Sequence, residues 1–412
     1  MRTEGPENAG RGEGPAITPR LRAGRAALAV SFLLQGVVFA LLVTCVPEIQ
    51  DRYGLDDALL PLFLAAVPVL AGAGSIAAER LVRRTGARAV LRVVQPAVCA
   101  TLAAVGLGDA LWQLALALGA FGLLVGALDA SMNMLGVGLQ RRYGRSVMLG
   151  FHAAFSLGGI LGAAVAGLGA HYDLGLPVLF GAAAAVIAPL ALPTGALLLA
   201  DRRGGPAEPG DAVRAAEAAA RTVPWRPLLP LCLAMAFAYI ADASVSNYSV
   251  KYLTDELRSP EDVAKLSYVG YLVATLFGRA FGDRAVRRWG AVPVVRAGAA
   301  LAALGFAVAA AAPDARTGIA GFTVLGLGIC AIVPQVFAAG GRLLPADPDA
   351  AVARLNLFNY VGFLVGSPLV GVLAGAGSYR WALLAPMLLV LAVLPLADRF
   401  APAPAPVAPA PA

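Results

Sequence analysis

A chain of 412 residues that is 59% apolar and only 14% charged is not an ordinary soluble protein, since soluble domains average about 45–50% apolar and about 25% charged. Its apolar runs are continuous and about twice the ~10-residue alternating segments of a membrane β-barrel, a length that suits helices crossing a ~30 Å hydrocarbon core. The net charge of +7 is scattered between those runs rather than gathered into a patch, which argues for loop charges in a polytopic membrane protein and against a nucleic-acid partner.

Residues 1–24, rich in Gly, Pro, Glu and Arg with no apolar stretch, are expected to form a disordered cytoplasmic tail and not a signal peptide. Twelve helical spans follow, at 25–46, 58–78, 89–107, 111–137, 147–169, 176–199, 228–250, 264–282, 292–312, 316–340, 354–375 and 380–399. The hydrophilic stretch 200–227 divides them six and six and reads as a cytoplasmic linker, with a short amphipathic helix at 211–221. The Pro-Ala segment 401–412 has no side chains to pack a core. The expected organisation is an N-terminal six-helix bundle over 25–199 and a C-terminal one over 228–400.

An even number of spans puts both termini on one side. Of 32 Lys and Arg, only Arg52, Lys251, Arg258, Lys265, Arg316 and Arg380 fall on the opposite side. That bias makes the termini cytoplasmic, in the cytoplasmic membrane of a bacterium. Cys45, Cys99, Cys232 and Cys330 lie inside apolar runs without CxxC spacing, so they read as small core residues rather than disulfides or zinc ligands.

The halves repeat one another. Residues 74–92 (GSIAAERLVRRTGARAVLR) and 278–296 (GRAFGDRAVRRWGAVPVVR), offset by 204, are identical at nine of nineteen positions, and Glu79 faces Asp283 in the alignment. The same offset pairs His152 with Asn356, Gly158 with Gly362, Gly162 with Gly366 and Gly167 with Gly371. An offset sustained over separate helix pairs argues for two parallel six-helix repeats about an axis normal to the membrane.

On these residues the chain resembles the major facilitator superfamily over nearly its full length. The superfamily's Gly-x-x-x-Asp-Arg-x-Gly-Arg-Arg-like loop is matched by Gly74, Glu79, Arg80, Arg84, Gly86 and Arg88, and again by Gly278, Asp283, Arg284, Arg288 and Gly290, with extra residues between acid and second Gly. Either these Arg only set topology, or acid and Arg pair across the half-interface as a latch that parts between two conformers. The paired acid and Gly favour the latch. Two further stretches are similar to fucose-permease-type sugar/proton symporters and a related group of bacterial permeases. They are Asp129, Asn133, His152, Ser156 and Gly158 in GALDASMNMLGVGLQRRYGRSVMLGFHAAFSLGGILGA, and Asp242, Asn247, Tyr248, Tyr252 and Leu253 in ADASVSNYSVKYL. In the second, Asp242, Asn247 and Tyr248 stand where the related group has Glu, Asp and Trp. The fold this implies is all-α, with twelve transmembrane helices in two pseudo-symmetric bundles.

Charged side chains at the bilayer centre cost ~2.5–3.5 kcal/mol on insertion scales, so they usually face a cavity or a partner. Asp129 is the strongest candidate, about 18 Å along its helix from Arg141 at ~1.5 Å per residue. Asn133 and Gln140 share its face. His152, on the next antiparallel helix, is either a titrating partner of Asp129 or a neutral hydrogen-bond partner. Asp129 and His152 are the proton-coupling candidates. Asp242 heads a polar stripe with Tyr239, Ser246 and Asn247 on the seventh span. Gln35, Asn133, Ser156, Gln335, Asn356, Asn359 and Tyr360 complete a cavity lined from both halves. Gln95 reads as structural, and Pro368 with its neighbouring glycines marks a bending eleventh span.

The function this supports is secondary transport by alternating access. Protons are the expected coupling ion and a small polar solute, a sugar or similar metabolite, is the expected cargo. Proton-coupled efflux of a drug or natural product is the alternative. The fifth span lacks the Gly-Pro motif of many drug/proton antiporters, which counts against it. No phosphate-binding Gly-x-x-x-x-Gly-Lys-[Ser/Thr] loop is present to use ATP. An enzyme, a cofactor and a metal site are not expected, and the chain reads as a monomer.

Overall fold

The computed structural model describes residues 17–56, 59–198 and 225–401, and every regular element among them is helical. The N-terminal half contains α1 (Pro19–Thr44), a short α2 (Val46–Tyr53), α3 (Leu60–Thr85), α4 (Ala87–Leu107), α5 (Leu111–Tyr143), α6 (Met148–His171) and α7 (Leu176–Leu197). The C-terminal half contains α8 (Trp225–Asp255), α9 (Glu261–Trp289), α10 (Ala291–Ala310), α11 (Ala315–Ile329), α12 (Ile332–Leu343) and α13 (Pro348–Gly375). It ends in α14 (Tyr379–Ala382), α15 (Leu384–Leu391), α16 (Val393–Leu396) and a 3₁₀ turn at Ala397–Phe400.

Eleven helical segments among the described residues are long and apolar enough to cross a membrane, counting α11–α12 and α14 to the 3₁₀ turn as one each. The twelfth span is α9, long enough at 29 residues but made more polar by Arg279 and Asp283. Leu62, Val93, Leu116, Val372 and Trp381 are exposed, as lipid-facing side chains are.

Several boundaries differ from the sequence expectation. The first helix begins at Pro19, not 25, because Thr18 caps it by accepting from Leu21 N at 3.3 Å and Pro19 presets its first turn. Part of the stretch read as a disordered tail is therefore helix. The tenth span is broken at Cys330–Ala331, and the last at Leu383 and Ala392. In each case a proline (Pro334, Pro386, Pro395) lies three or four residues beyond, where its ring strikes the preceding turn's carbonyl. By contrast α13 runs unbroken through Pro368. Residues 1–16, most of the 200–227 linker with its 211–221 helix, and 402–412 lie outside the described residues.

Between α3 and α4, and between α9 and α10, the chain turns on a single glycine: Gly86 has φ +83° and Gly290 φ +86°. Only glycine takes that backbone without a Cβ penalty. Of the residues read as gating loops, Glu79, Arg80, Arg84, Asp283, Arg284 and Arg288 therefore sit in the last two turns of α3 and α9, and Gly86 and Gly290 between helices. Helix packing also repeats. A Cβ on Gly158 of α6 would stand 2.0 Å from Leu33 O of α1, and one on Gly362 of α13 would stand 2.5 Å from Ala236 O of α8. Backbone-to-backbone approach this close supplies packing where no hydrophobic force acts between helices in lipid. The four cysteines are buried and free.

Candidate functional site

The candidate site lies where the halves meet, near the middle of α5 and α13. One turn of α5 carries Asp129 and Asn133, and Asn133 Nδ2 donates to Asp129 Oδ1 at 3.2 Å. The other half reaches the same carboxylate from α13, where Tyr360 Oη donates to Asp129 Oδ2 at 3.2 Å and Asn359 Nδ2 at 3.4 Å. A chain of amides continues from there. Asn359 donates to Asn356 Oδ1 at 3.4 Å, Asn356 donates to Ser75 Oγ on α3 at 3.3 Å, and Ser75 donates back to Ala353 O at 3.3 Å.

A second cluster joins α8 and α9. Tyr271 Oη on α9 donates to Asp242 Oδ1 on α8, and Tyr268 stacks on Tyr271. One face of α9 also carries Arg279, whose Nη1 donates to Ser156 Oγ on α6 at 2.6 Å. Tyr239 lies between the clusters, within electrostatic reach of Asp129, Asp242 and Arg279. Asp129, Tyr239, Asp242, Arg279 and Tyr360 are half-buried although they point between the halves, so space remains among them.

Among the side-chain atoms buried without a hydrogen-bond partner among the described residues are Gln35 Oε1, Asn133 Oδ1, His152 Nε2, Arg279 Nε and Gln335 Nε2. Such atoms cost ~1–3 kcal/mol each when left unpaired, which makes them candidates for contact with a bound solute.

The structure does not bring all of the expected residues together. His152 is buried between the rings of Phe32 and Phe337, with centroids at 5.5 and 6.1 Å. Its charged neighbour is Arg279, not Asp129. Ser246 donates to Asp242 O at 2.9 Å. Asn247, about 140° round the helix from Asp242 at ~100° per residue, is exposed and donates to Ala243 O at 2.8 Å. Gln140 turns from the Asp129 face to accept from Val147 N and Met148 N at 3.0 and 3.2 Å. Gln95 donates to Ser31 O at 3.2 Å within its own half.

Arg279 is the residue that sequence reasoning missed. Counting it among the charges of the terminal side hid its depth, about ten residues or ~15 Å from the end of α9. The available signal was that Arg279 falls inside the 264–282 span, next to Gly278, rather than in the loop that follows it.

On the side of the termini the halves close. Arg83 on α3 pairs with Asp347 at 2.5 Å and with Glu79 at 2.9 Å, and Arg354 approaches Glu79 at 4.0 Å. In the matching place Asp283 accepts from Ser146 Oγ at 2.6 Å, Gly150 N at 2.9 Å and Leu149 N at 3.3 Å, and Arg287 donates to Ser146 O at 3.0 Å. Leu149, Cys330 and Ala331 form a small apolar seal beside it. Arg80, Arg84, Arg284 and Arg288 form no ion pair among the described residues, while Gly74 and Gly278 sit inside their helices against α5 and α11.

Known proteins match most of the length of this chain. Over 371 residues the chain is 30% identical to an uncharacterised MFS-type transporter of Yersinia pestis, spanning 88% of this chain and 92% of that protein. The chain belongs to the Major Facilitator Superfamily. The superfamily's own sequence profile matches residues 231–412. An uncharacterised transporter of Sinorhizobium fredii, y4wD, is 27% identical over 86% of this chain and 92% of its own length. Among solved structures, the MFS transporter FucP in its outward conformation superposes with a TM-score of 0.75 at 17% identity, covering 93% of this chain and 99% of FucP. The superfamily's members are transporters and not enzymes, and this chain is a multi-pass membrane protein of that kind.

Proposed function

We infer that this chain carries a small polar solute of sugar type across the membrane together with a proton, by alternating access, inward when the termini are cytoplasmic. The observation that supports this best is the position of Asp129. It is an acid at mid-membrane, held by Asn133 from its own half and by Asn359 and Tyr360 from the other.

The ionised carboxylate accepts from both halves and so ties α5 to α13. A proton on the oxygen facing Tyr360 removes acceptor capacity there, which weakens the tie and neutralises the buried charge. Solute bound among the unpartnered groups then completes the change, because its affinity differs between the two arrangements. The closed contacts on the side of the termini fit the state that receives solute from outside. FucP, whose fold the chain shares, is named as a fucose:proton symporter; the coupling proposed for this chain rests on Asp129 itself.

Asp129→Asn keeps shape and one acceptor but carries no proton. In vesicles with an imposed pH gradient, and with radiolabelled D-galactose and D-galacturonate as probes, the wild type accumulates solute. The variant is expected to exchange solute without accumulating it. Accumulation by Asp129→Asn at the wild-type level would overturn the reading.

A further inference from the structure

The offset of 204 that relates Gly74 to Gly278 also pairs Ser75 of α3 with Arg279 of α9. Serine suffices at this place as a helix contact, since Ser75 Oγ donates to Ala353 O and accepts from Asn356 Nδ2, both at 3.3 Å. Arginine there carries a charge and donors that the contact does not need. Its Nη1 is used by Ser156, its Nε is buried without an acceptor, and it forms no ion pair among the described residues.

The neighbouring pair differs in the same way. Asn356 is bonded on both sides of its amide, whereas its repeat equivalent His152 is buried with Nε2 unpartnered, one helical turn from the Ser156 that holds Arg279. Asp242 lies within electrostatic reach of Arg279 but is held by Tyr271 and forms no ion pair with it; a guanidinium at mid-membrane without an ion pair is costly, and its planar fork matches the two oxygens of a carboxylate. Around Asp129 the unpartnered atoms are of the opposite kind. Gln35 Oε1 and Asn133 Oδ1, beside Asp129, are acceptors suited to hydroxyl groups.

From this asymmetry we propose that the solute is a polyhydroxy acid, such as a sugar acid, whose carboxylate binds Arg279 while its hydroxyls face Asn133 and Gln35. The proposal rests on the transporter reading and deepens it by naming the substrate class. Arg279 is then the residue that selects the acid over the neutral sugar. His152 supports it by donating to the same carboxylate from Nε2.

Binding to the purified full-length protein in lipid nanodiscs tests this without any gradient, so its outcome is separate from that of proton coupling. The probes are D-galacturonate, D-gluconate, D-galactose and D-galactosamine, read by thermal shift and competition. An acid is expected to bind the wild type at least about tenfold more tightly than the neutral or amino sugar, the scale of one charge-assisted pair. Arg279→Gln is expected to erase that preference, and Arg279→Lys to retain part of it. Arg279→Ser, the residue the other repeat carries, is the second variant should Arg279→Gln elute as aggregate. Equal or tighter binding of galactose or galactosamine to the wild type overturns the proposal, as does an acid preference that survives both variants, or no binding of either acid.

Discussion

The two contacts that close the molecule on the side of its termini occupy equivalent places in the repeat but are built differently. Between α3 and α13 the contact is a set of ion pairs, Arg83 with Asp347 and Glu79, and Arg354 near Glu79, all partly exposed. Between α9 and α6 it is a borrowed helix cap. Val147 offers α6 no side-chain cap, so Asp283 of the other half accepts from the N–H groups of Leu149 and Gly150, while Gln140 takes those of Val147 and Met148. Helix α13 needs no such help, because Asp347 caps it by accepting from Ala350 N at 3.2 Å. One acid at matching positions thus serves as a partner for cations in one half and as a cap for a foreign helix in the other. An exposed ion pair is weak and screened, whereas a buried carboxylate on free N–H groups and a helix dipole is stronger and shielded.

Replacing Asp283 should have the largest effect. Asp283→Ala leaves a hydroxyl and two backbone N–H groups unpaired, at ~1.5–3 kcal/mol for bonds to a charged group. In a variant retaining only Cys330, beside the apolar seal, maleimide labelling from the side of the termini should rise by roughly ten- to a hundredfold. Unchanged labelling would mean the borrowed cap does not hold the molecule closed.

A smaller effect is expected at the other contact. Arg83→Ala should raise the same labelling only a few-fold, since exposed pairs contribute about 0.2–1 kcal/mol. That increment should vanish as salt is raised to ~1 M, where the Debye length falls to about 3 Å. The Asp283→Ala increment should persist in the same salt titration, and equal salt sensitivity of the two would erase the distinction drawn between them.

The smallest effect is expected from Ser75→Ala, which removes one neutral hydrogen bond on each side at about 0.5–1.5 kcal/mol. Solute binding should change less than about threefold, against the loss expected for its repeat equivalent Arg279. A loss as large as that of Arg279→Gln would mean that both positions act through the helix contact alone.

Much of this was legible in the sequence. The length and apolarity of the runs, the side preference of Lys and Arg, and the 204-residue offset carried the helices, the halves and the shared motif. They did so because crossing lipid forces nearly every backbone group into a helix. Asp129 was legible for the same reason: a lone acid in an apolar run needs a partner. Arg279 and the cap formed by Asp283 were not. Both lie in the half of α9 that leads to the side of the termini, where charges also serve topology, and composition alone does not separate a charge in a loop from one aimed between the halves. The breaks at Cys330–Ala331, Leu383 and Ala392 were readable from the prolines that follow them, but proline alone does not decide the outcome, since α13 passes Pro368 unbroken.

By itself the sequence determined that this is a polytopic helical protein made of two related halves, because hydrophobic length and charge bias act locally and need no partner to be read. Only the tertiary structure decided which polar groups meet. It joined Asp129 to Tyr360 and Asn359 across about 230 residues of chain, placed His152 beside Arg279 rather than Asp129, and left Arg279 near Asp242 without an ion pair among the described residues. Those relations depend on how two packed bundles face each other, and that is set by contacts between side chains and helix ends of different halves, which no single segment specifies.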